Sequence, residues 1–421
     1  MSTVEKLKKL ACDTIDSHVA ELKKLSQDIW ENPELAYNEK YAHKRLTDFL
    51  EERGFSVERE YVVPTAFRAK PKNGHKKDDG DQKGAKVALL CEYDALPEMG
   101  HACGHNLIAT VGIAASLGIQ AALASQDYDG NGELMVLGTP AEEGGGGKID
   151  LIWGGAFQDV DVAMMAHPSQ SNLPKPICLA RHKLYITYRG KEAHASGHPW
   201  DGVNALDAAV LCYTNISHMR QQIHPTWRVH GVITNGGVKP NIIPAVSEML
   251  YYLRAPTGPE LEVLSEKVIG CIEGAAKATG CEVEYKLDPK SYAALMSNNT
   301  VASRYAENAE NLGIKIETNK DKLTKAGGST DMGNVSNVVP AIQPKFHIGT
   351  AASQHTPEFA VQSRTAEAEE YSLAVAKALA MTGIDFLTSP ELVQQAKDDF
   401  AAAVKNKKAQ SKALTEAMAQ K

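Results

Sequence analysis

The stretch KVALLCEYDALPEMGHACGHNLIATVGIAASLGIQAALA, residues 86–124, decides the fold class. Residues 86–92 form a continuous apolar run rather than an alternating one, as strands covered on both faces do. Residues 107–124 read as a long apolar helix. Similar apolar strands recur at 133–137 and 160–165. Strand and helix therefore alternate, which predicts an α/β sheet with helices on both faces. Between the first strand and its helix lies Glu98-Met99-Gly100-His101-Ala102-Cys103-Gly104-His105-Asn106, the densest cluster of metal-capable residues in the chain. The carboxyl ends of strands are where open α/β sheets place their sites.

Working outward, apolar residues from Leu7 to Leu25 recur at helical spacing and predict one amphipathic surface helix over residues 3–30. A second helix is expected over 39–53, and the polar, Gly-rich segment 72–84 reads as a solvent loop. After Pro176 the texture changes. Residues 183–188 alternate as a half-exposed strand, followed by a helix over 203–222, strands over 228–234 and 246–254, a helix over 260–279 and a strand over 282–287. This β-α-β-β-α-β order is the split βαβ pattern of a compact two-layer α+β sandwich. Its limits near Pro176 and Ser297 mark a domain, 178–296, inserted into a first one made of 1–177 and 297–421. The α/β pattern resumes with a helix over 301–312, a strand over 341–348 and a helix over 365–381. Residues 390–421 read as a charged, Ala-rich terminal helix.

Composition narrows the classes. A chain of 421 residues is long enough for two domains and a sizeable core. With 43% apolar and 23% charged residues it is neither disordered nor fibrous in character. Lys and Arg number 45 against 52 Asp and Glu, a net charge of −7 with no basic excess to seek phosphate backbones, so nucleic acid is not an expected partner. Cys12, Cys91, Cys103, Cys178, Cys212, Cys271 and Cys281 are odd in number, scattered and never arranged as CxxC. That pattern disfavours a disulfide framework and a zinc ribbon, and predicts a reducing, cytoplasmic compartment. Residues 1–10 alternate Lys and Glu with apolar residues, so no secretory signal is expected. The apolar run 108–124 is interrupted by Thr, Ser, Gln and Gly and falls short of the ~20 residues needed to span a bilayer, so no membrane association is expected.

The chemistry concentrates at strand ends. Cys103 and His105 can face one ion, because Gly104 between them lets the backbone turn, and thiolate with imidazole suits zinc or a related divalent ion. Glu142 and Glu143 adjoin one another directly after the strand at 133–137, where two carboxylates repel unless a cation sits beside them. One can bind a metal while the other activates water. His167 ends an apolar strand, and His355 lies in the loop Gln354-His355-Thr356-Pro357 after the last predicted core strand. A lone strand-end histidine is more often a polar plug than a ligand, but four such segments on one sheet form a set.

CEYDALPEMGHACGHN, GTPAEEGGGGK, AHPS, GKEAHASGHPWDGVNALDA, NIIPAVSEMLYYLR, GGSTDMGNVS and QHTPEF together resemble the aminoacylase and dipeptidase family of dinuclear metal amidohydrolases. The resemblance is to the branch whose metals share a bridging Cys, which includes dipeptidases, aminobenzoyl-glutamate hydrolases and auxin-conjugate hydrolases. It implies a catalytic domain with a mixed central sheet flanked by helices, and an inserted lid that also forms a homodimer. It also implies two divalent ions per subunit, Zn²⁺ first and Mn²⁺ or Co²⁺ as alternatives. Cys103 would bridge them, with His105 and His167 completing one and Glu143 and His355 the other. Glu142 matches the general base that deprotonates a metal-activated water and passes the proton to the leaving amine of a small-molecule amide, either a dipeptide or an N-acyl or N-aryl amino acid. Asp94 matches a carboxylate that orients a ligand. In the lid, His194 matches a residue that stabilises the tetrahedral oxyanion in a neighbouring subunit's site. Asn241 and Arg254 match positions that hold the substrate's carbonyl or carboxylate.

The sequence departs from the family at two places. Glu92 stands where several branches place a metal-binding His, and Asn106 where others place Asp. His101 ranks below His105 as a ligand because it precedes the tight turn. Ser329, Thr330 and Asp331 form a loop expected to line the pocket, with Ser329 and Thr330 as substrate contacts. Two other readings compete: a thiol hydrolase with Cys103 as nucleophile and His105 as base, and a non-catalytic binding homologue.

Overall fold

The computed structural model describes residues 1–72 and 84–419, so nearly all of the polar segment expected as a loop lies outside the described residues. The chain divides into two compact units. The first comprises Met1–Ile177, Leu295–Lys325 and Thr330–Asn406, and the second Cys178–Ala294, Ala326–Ser329 and Lys407–Lys421.

At the start of the first unit, Ser2 and Glu5 form a capping box around α1 (Thr3–Ser17). The single helix expected over 3–30 is two, α1 and α2 (Val19–Glu31). The His18 ring takes the Thr14 carbonyl at 2.9 Å, and the His18 N–H, which a continuous helix would give to that carbonyl, turns to Ile15 O instead. Next come α3 (Lys40–Glu52) and the antiparallel pair β1 (Phe55–Arg59) and β2 (Phe67–Pro71). These short strands have no signature in the sequence, because only their partners distinguish them from loop. They are followed by β3 (Lys86–Cys91), α4 (His105–Leu123), β4 (Glu133–Gly138), α5 (Gly147–Trp153), β5 (Val162–Met164) and β6 (His167–Ser169).

The second unit contains β7 (Ala180–Arg189), α6 (Ala205–Met219), β8 (Arg228–Asn235), β9 (Val246–Ala255), α7 (Gly258–Thr279) and β10 (Glu282–Leu287). Its four strands pair antiparallel in the order β10-β7-β9-β8, and α6 and α7 close one face over Leu184, Ile186, Tyr188, Tyr251 and Leu253. This is the expected β-α-β-β-α-β sandwich. The chain returns through α8 (Asn299–Asn311), α9 (Lys320–Thr324), α10 (Met332–Ser336), β11 (Ala341–Ile342), β12 (Lys345–His347), α11 (Pro357–Gln362), α12 (Ala366–Thr388) and α13 (Pro390–Ala419).

The first unit's main sheet is mixed, in the order β1-β2-β4-β3-β5-β11. β1, β2 and β4 pair antiparallel, whereas β4, β3, β5 and β11 run parallel. The strand expected over 160–165 forms as the shorter β5, the one expected over 341–348 breaks into β11 and β12, and β6 pairs with β12 outside the main sheet. Pro344, at the break in the second, has no N–H to continue the ladder. That break carries His167 away from the main sheet, onto β6.

All of α4 except Gln120 and Ala121 is buried, so this helix, apolar and long enough to cross a membrane, is the core helix of the unit. It lies close on β3 at Gly112, where a Cβ would meet Cys91 Sγ at 2.5 Å and Leu90 O at 3.1 Å. Gly112→Ala sets overpacking of about 1–3 kcal/mol against a helix-propensity gain of about 1 kcal/mol. Denaturant unfolding of this variant is expected to report a net loss of stability; an unchanged or raised midpoint would mean that α4 sits loosely on β3.

Candidate metal centre

The loop from β3 to α4 turns at Gly104, whose φ is +75°. A side chain there would strike Pro168 Cγ at 2.6 Å, so Gly is what lets this loop lie against the start of β6. The contact brings Cys103 and His105 to His167. The ligand atoms of these three buried residues lie within 4.8 Å of one another. His167 Nδ1 faces the Pro168 carbonyl at 2.9 Å, leaving Nε2 at 3.6 Å from Cys103 Sγ.

A second group shares the same thiol: Cys103, Glu143 and His355, again within 4.8 Å. His355 adopts a left-handed φ of +64°, and its N–H donates to Ala102 O at 2.9 Å, which fixes it beside Cys103. Its Nε2 lies 3.2 Å from Glu143 Oε1. Cys103 is thus common to two groups of three donors.

Asp94 ties both groups together. One of its oxygens meets His105 Nδ1 at 3.1 Å, and the other accepts the Glu143 N–H at 2.9 Å. His105 therefore turns Nε2 toward the group, where it is buried without a hydrogen-bond partner, as is Glu143 Oε1. Orphaned nitrogen and oxygen acceptors beside a shared thiol fit divalent cations of the zinc type.

Burial opposes charge on His105, but Asp94 outweighs it and raises the ring well above the usual imidazole range. Burial and the His105 charge push His167 down to about 3. Burial, with Glu92 and Glu143 nearby, raises Glu142 well above the carboxylate range. Burial also acts on Glu143, yet the contact with His355 keeps it low. The Cys103 thiol is pushed far up by burial and by Glu143, which leaves it a poor nucleophile on its own.

Two charged residues with supporting roles, Glu39 and Lys148, escape the sequence reading. Glu39 is buried and accepts from the N–H groups of Tyr37 and Ala141 and from the Thr65 hydroxyl. It thereby holds Ala141 in its left-handed conformation, φ +62°, immediately before Glu142. Lys148, on α5, is fully buried and spans Glu92 Oε1 at 2.5 Å and Asp331 Oδ1 at 2.7 Å. Glu92 is thus half of an ion pair at the position where other branches carry a histidine. The only local signals were a Lys ending a glycine run and an Asp ending GGSTD, neither of which announces a partner. His101 does not join either group; its Nε2 faces Ile29 O at 3.1 Å.

The remaining candidates sit elsewhere. In the second unit, His194 and Asn241 lie on adjacent segments joined by an Ala195 N–H to Asn241 O bond, and both side chains are exposed. Arg254, on β9, donates to Ser329 Oγ at 2.7 Å. Thr330 belongs to the first unit, where its buried hydroxyl accepts the Met332 N–H at the start of α10.

Residues 88–378 match peptidase family M20/M25/M40. The chain is 49% identical to a Mus musculus Xaa-Arg dipeptidase, with 94% of this chain and 93% of that protein aligned. It is 48% identical to a Homo sapiens Xaa-Arg dipeptidase over 95% and 93% of the two chains. Its fold is shared with a Bacillus subtilis protein described as a dinuclear metal binding peptidase of the M20 family, at a TM-score of 0.65 and 20% identity, covering 89% of this chain and all of that one. A match across most of the chain, with near full-length likeness to dipeptidases, leaves one conclusion: the chain belongs to peptidase family M20/M25/M40 and is a peptidase-type hydrolase acting on C–N bonds.

Proposed function

We propose that this chain is a two-metal amidohydrolase cleaving the amide bond of a dipeptide or an N-acyl or N-aryl amino acid, with Glu142 as general base. The observation that carries the reading is the pair of three-donor groups meeting at one buried thiol, with Glu142 in a third group beside His105 and Glu143. His105 and His167 would hold one ion with Cys103, and Glu143 and His355 the other. Zn²⁺ suits thiolate and imidazole donors best, with Mn²⁺ and Co²⁺ as the alternatives to test. When bound, such ions activate water and polarise a carbonyl.

The protein's own groups do the rest. Glu142 accepts a proton from the attacking water as the C–O bond forms, and delivers it to the amine nitrogen as the C–N bond breaks. Asp94 keeps His105 in one tautomer and one orientation. His194 is assigned to the developing oxyanion, and Asn241 and Arg254 to the substrate's carbonyl and carboxylate. A free C-terminal carboxylate is therefore part of the expected substrate. The dipeptidases at 49% and 48% identity make a C-terminal Arg residue the first to try. Cys103 as nucleophile is the weaker reading, since its thiol is raised and shared between both donor groups.

A homodimer through the second unit is part of this proposal. β8 is an edge strand of its sheet, and Val232 and Ile233 on it are exposed, as are Val210 and Tyr213 on α6. A cytoplasmic location is supported by seven cysteines that are all free thiols.

Three measurements test these assignments. Removal of metal with a strong chelator is expected to abolish amine release and lower the melting temperature, and Zn²⁺, Mn²⁺ or Co²⁺ to restore both; full activity after stripping would sink the reading. Glu142→Gln is expected to lower kcat by 10²- to 10⁴-fold while elemental analysis still finds two ions per chain; retained turnover would remove Glu142 as base. Val232→Asp is expected to halve the mass seen by light scattering, and a monomeric parent would refute the dimer.

A further inference from the structure

The second unit carries a charge arrangement that extends beyond Arg254. On the sheet face opposite α6 and α7, Arg181 of β7, Arg254 of β9 and Arg228 of β8 stand in register as direct neighbours. Like charges facing one another across adjacent strands destabilise a sheet, so the row calls for a reason. Arg228 donates to the carbonyls of Pro225 and Trp227. Arg254 donates to Ser329 Oγ, and its Nε lies 3.4 Å from His230 Nε2.

Arg181 differs. It is 8% exposed, its Nε is buried with no hydrogen-bond partner, and among the described residues no acceptor bonds its guanidinium. Two aromatic rings hold it instead, with its Cζ 3.8 Å from the Tyr292 ring centroid and 5.0 Å from that of Tyr252. Stacking occupies the face of a guanidinium and leaves its edge N–H donors available. The acid nearest in register, Asp288, already faces Lys183 at 3.9 Å. Burial lowers His230 below the ordinary imidazole range, and Arg254, Arg220 and Arg181 lower it further, as a concentrated positive potential would.

A buried cation with unused donors opposes folding unless an anion offsets it. We propose that Arg181 is a further carboxylate-binding residue beside Arg254 on this face of the sheet, and that it selects ligands with a free C-terminal carboxylate. The ligand class, a small amide ending in a carboxylate, rests on the amide-hydrolase reading. The fork of Arg181 is pre-oriented by Tyr292 and Tyr252, so little side-chain freedom is lost when it bonds a carboxylate oxygen.

The test reads binding without turnover. Calorimetry in a Glu142→Gln background compares N-acetylglycine with N-acetylglycinamide, which differ only in the carboxylate. The parent is expected to prefer the acid at least tenfold, Arg181→Gln to reduce that preference about tenfold, and Arg181→Lys to restore part of it, because charge-assisted hydrogen bonds carry this discrimination. Arg181→Gln is also expected to melt no lower than the parent, since it removes an unpaired buried charge, and to lose the rise in melting temperature that N-acetylglycine gives the parent. An unchanged preference, no preference in the parent, or tighter binding of inorganic phosphate than of N-acetylglycine would overturn the assignment. So would a variant melting several degrees lower, which would make Arg181 a structural residue. Because no hydrolysis is measured, failure here leaves the amide-hydrolase reading standing, and failure of that reading leaves this result interpretable.

Discussion

Buried negative charge is the constraint on which the first unit depends. Glu92, Asp94, Glu142 and Asp331 are buried near the ends of β3 and β4, with Glu143 and the Cys103 thiol beside them. Desolvating even one unpaired carboxylate is unfavourable by several kcal/mol, so each of these groups is either paired with a cation or driven toward its neutral form. Lys148 neutralises Glu92 and Asp331, and His105 meets Asp94. Glu142, Glu143 and Cys103 can be ionised together only beside added positive charge, which divalent ions at these donors would supply. Ion binding should accordingly be coupled to the stability of the unit.

The second unit presents the opposite problem. Its sheet lines up arginines, and one of them is buried against tyrosine rings with no acid bonded to it among the described residues. Each unit by itself therefore carries charge that a ligand of opposite sign would settle: divalent cations for the first, a carboxylate for the second. Both arrangements sacrifice some stability for recognition, as functional sites do.

Much of this was legible in the sequence because the signals were local. The run at 86–92 and the helix after it have the composition of a covered strand and a core helix, and both formed within two residues of the expected bounds. Cys103, His105, Glu143, His167 and His355 were each marked by a strand end or a loop motif, and the folded chain brings all five together. The hairpin of β1 and β2 was not legible, nor was the break at His18, because each turns on a hydrogen bond to a particular partner. The hydroxyl of Thr330 accepts the Met332 N–H inside its own turn, a contact its motif did not announce.

Read alone, the sequence carries the alternation of strands and helices, the β-α-β-β-α-β order of residues 180–287 and the identity of the metal-capable residues, since periodicity and residue chemistry are properties of neighbours along the chain. Only the tertiary structure decided how those residues are shared: that Cys103 serves both donor groups, that Asp94 joins them, that Glu39 holds the backbone before Glu142, and that Lys148 answers Glu92. It alone revealed that Arg181 is buried with no acid bonded to it among the described residues. The reason is physical. Burial and charge pairing depend on which atoms meet across 50 to 180 residues of intervening chain, and no local pattern encodes that distance.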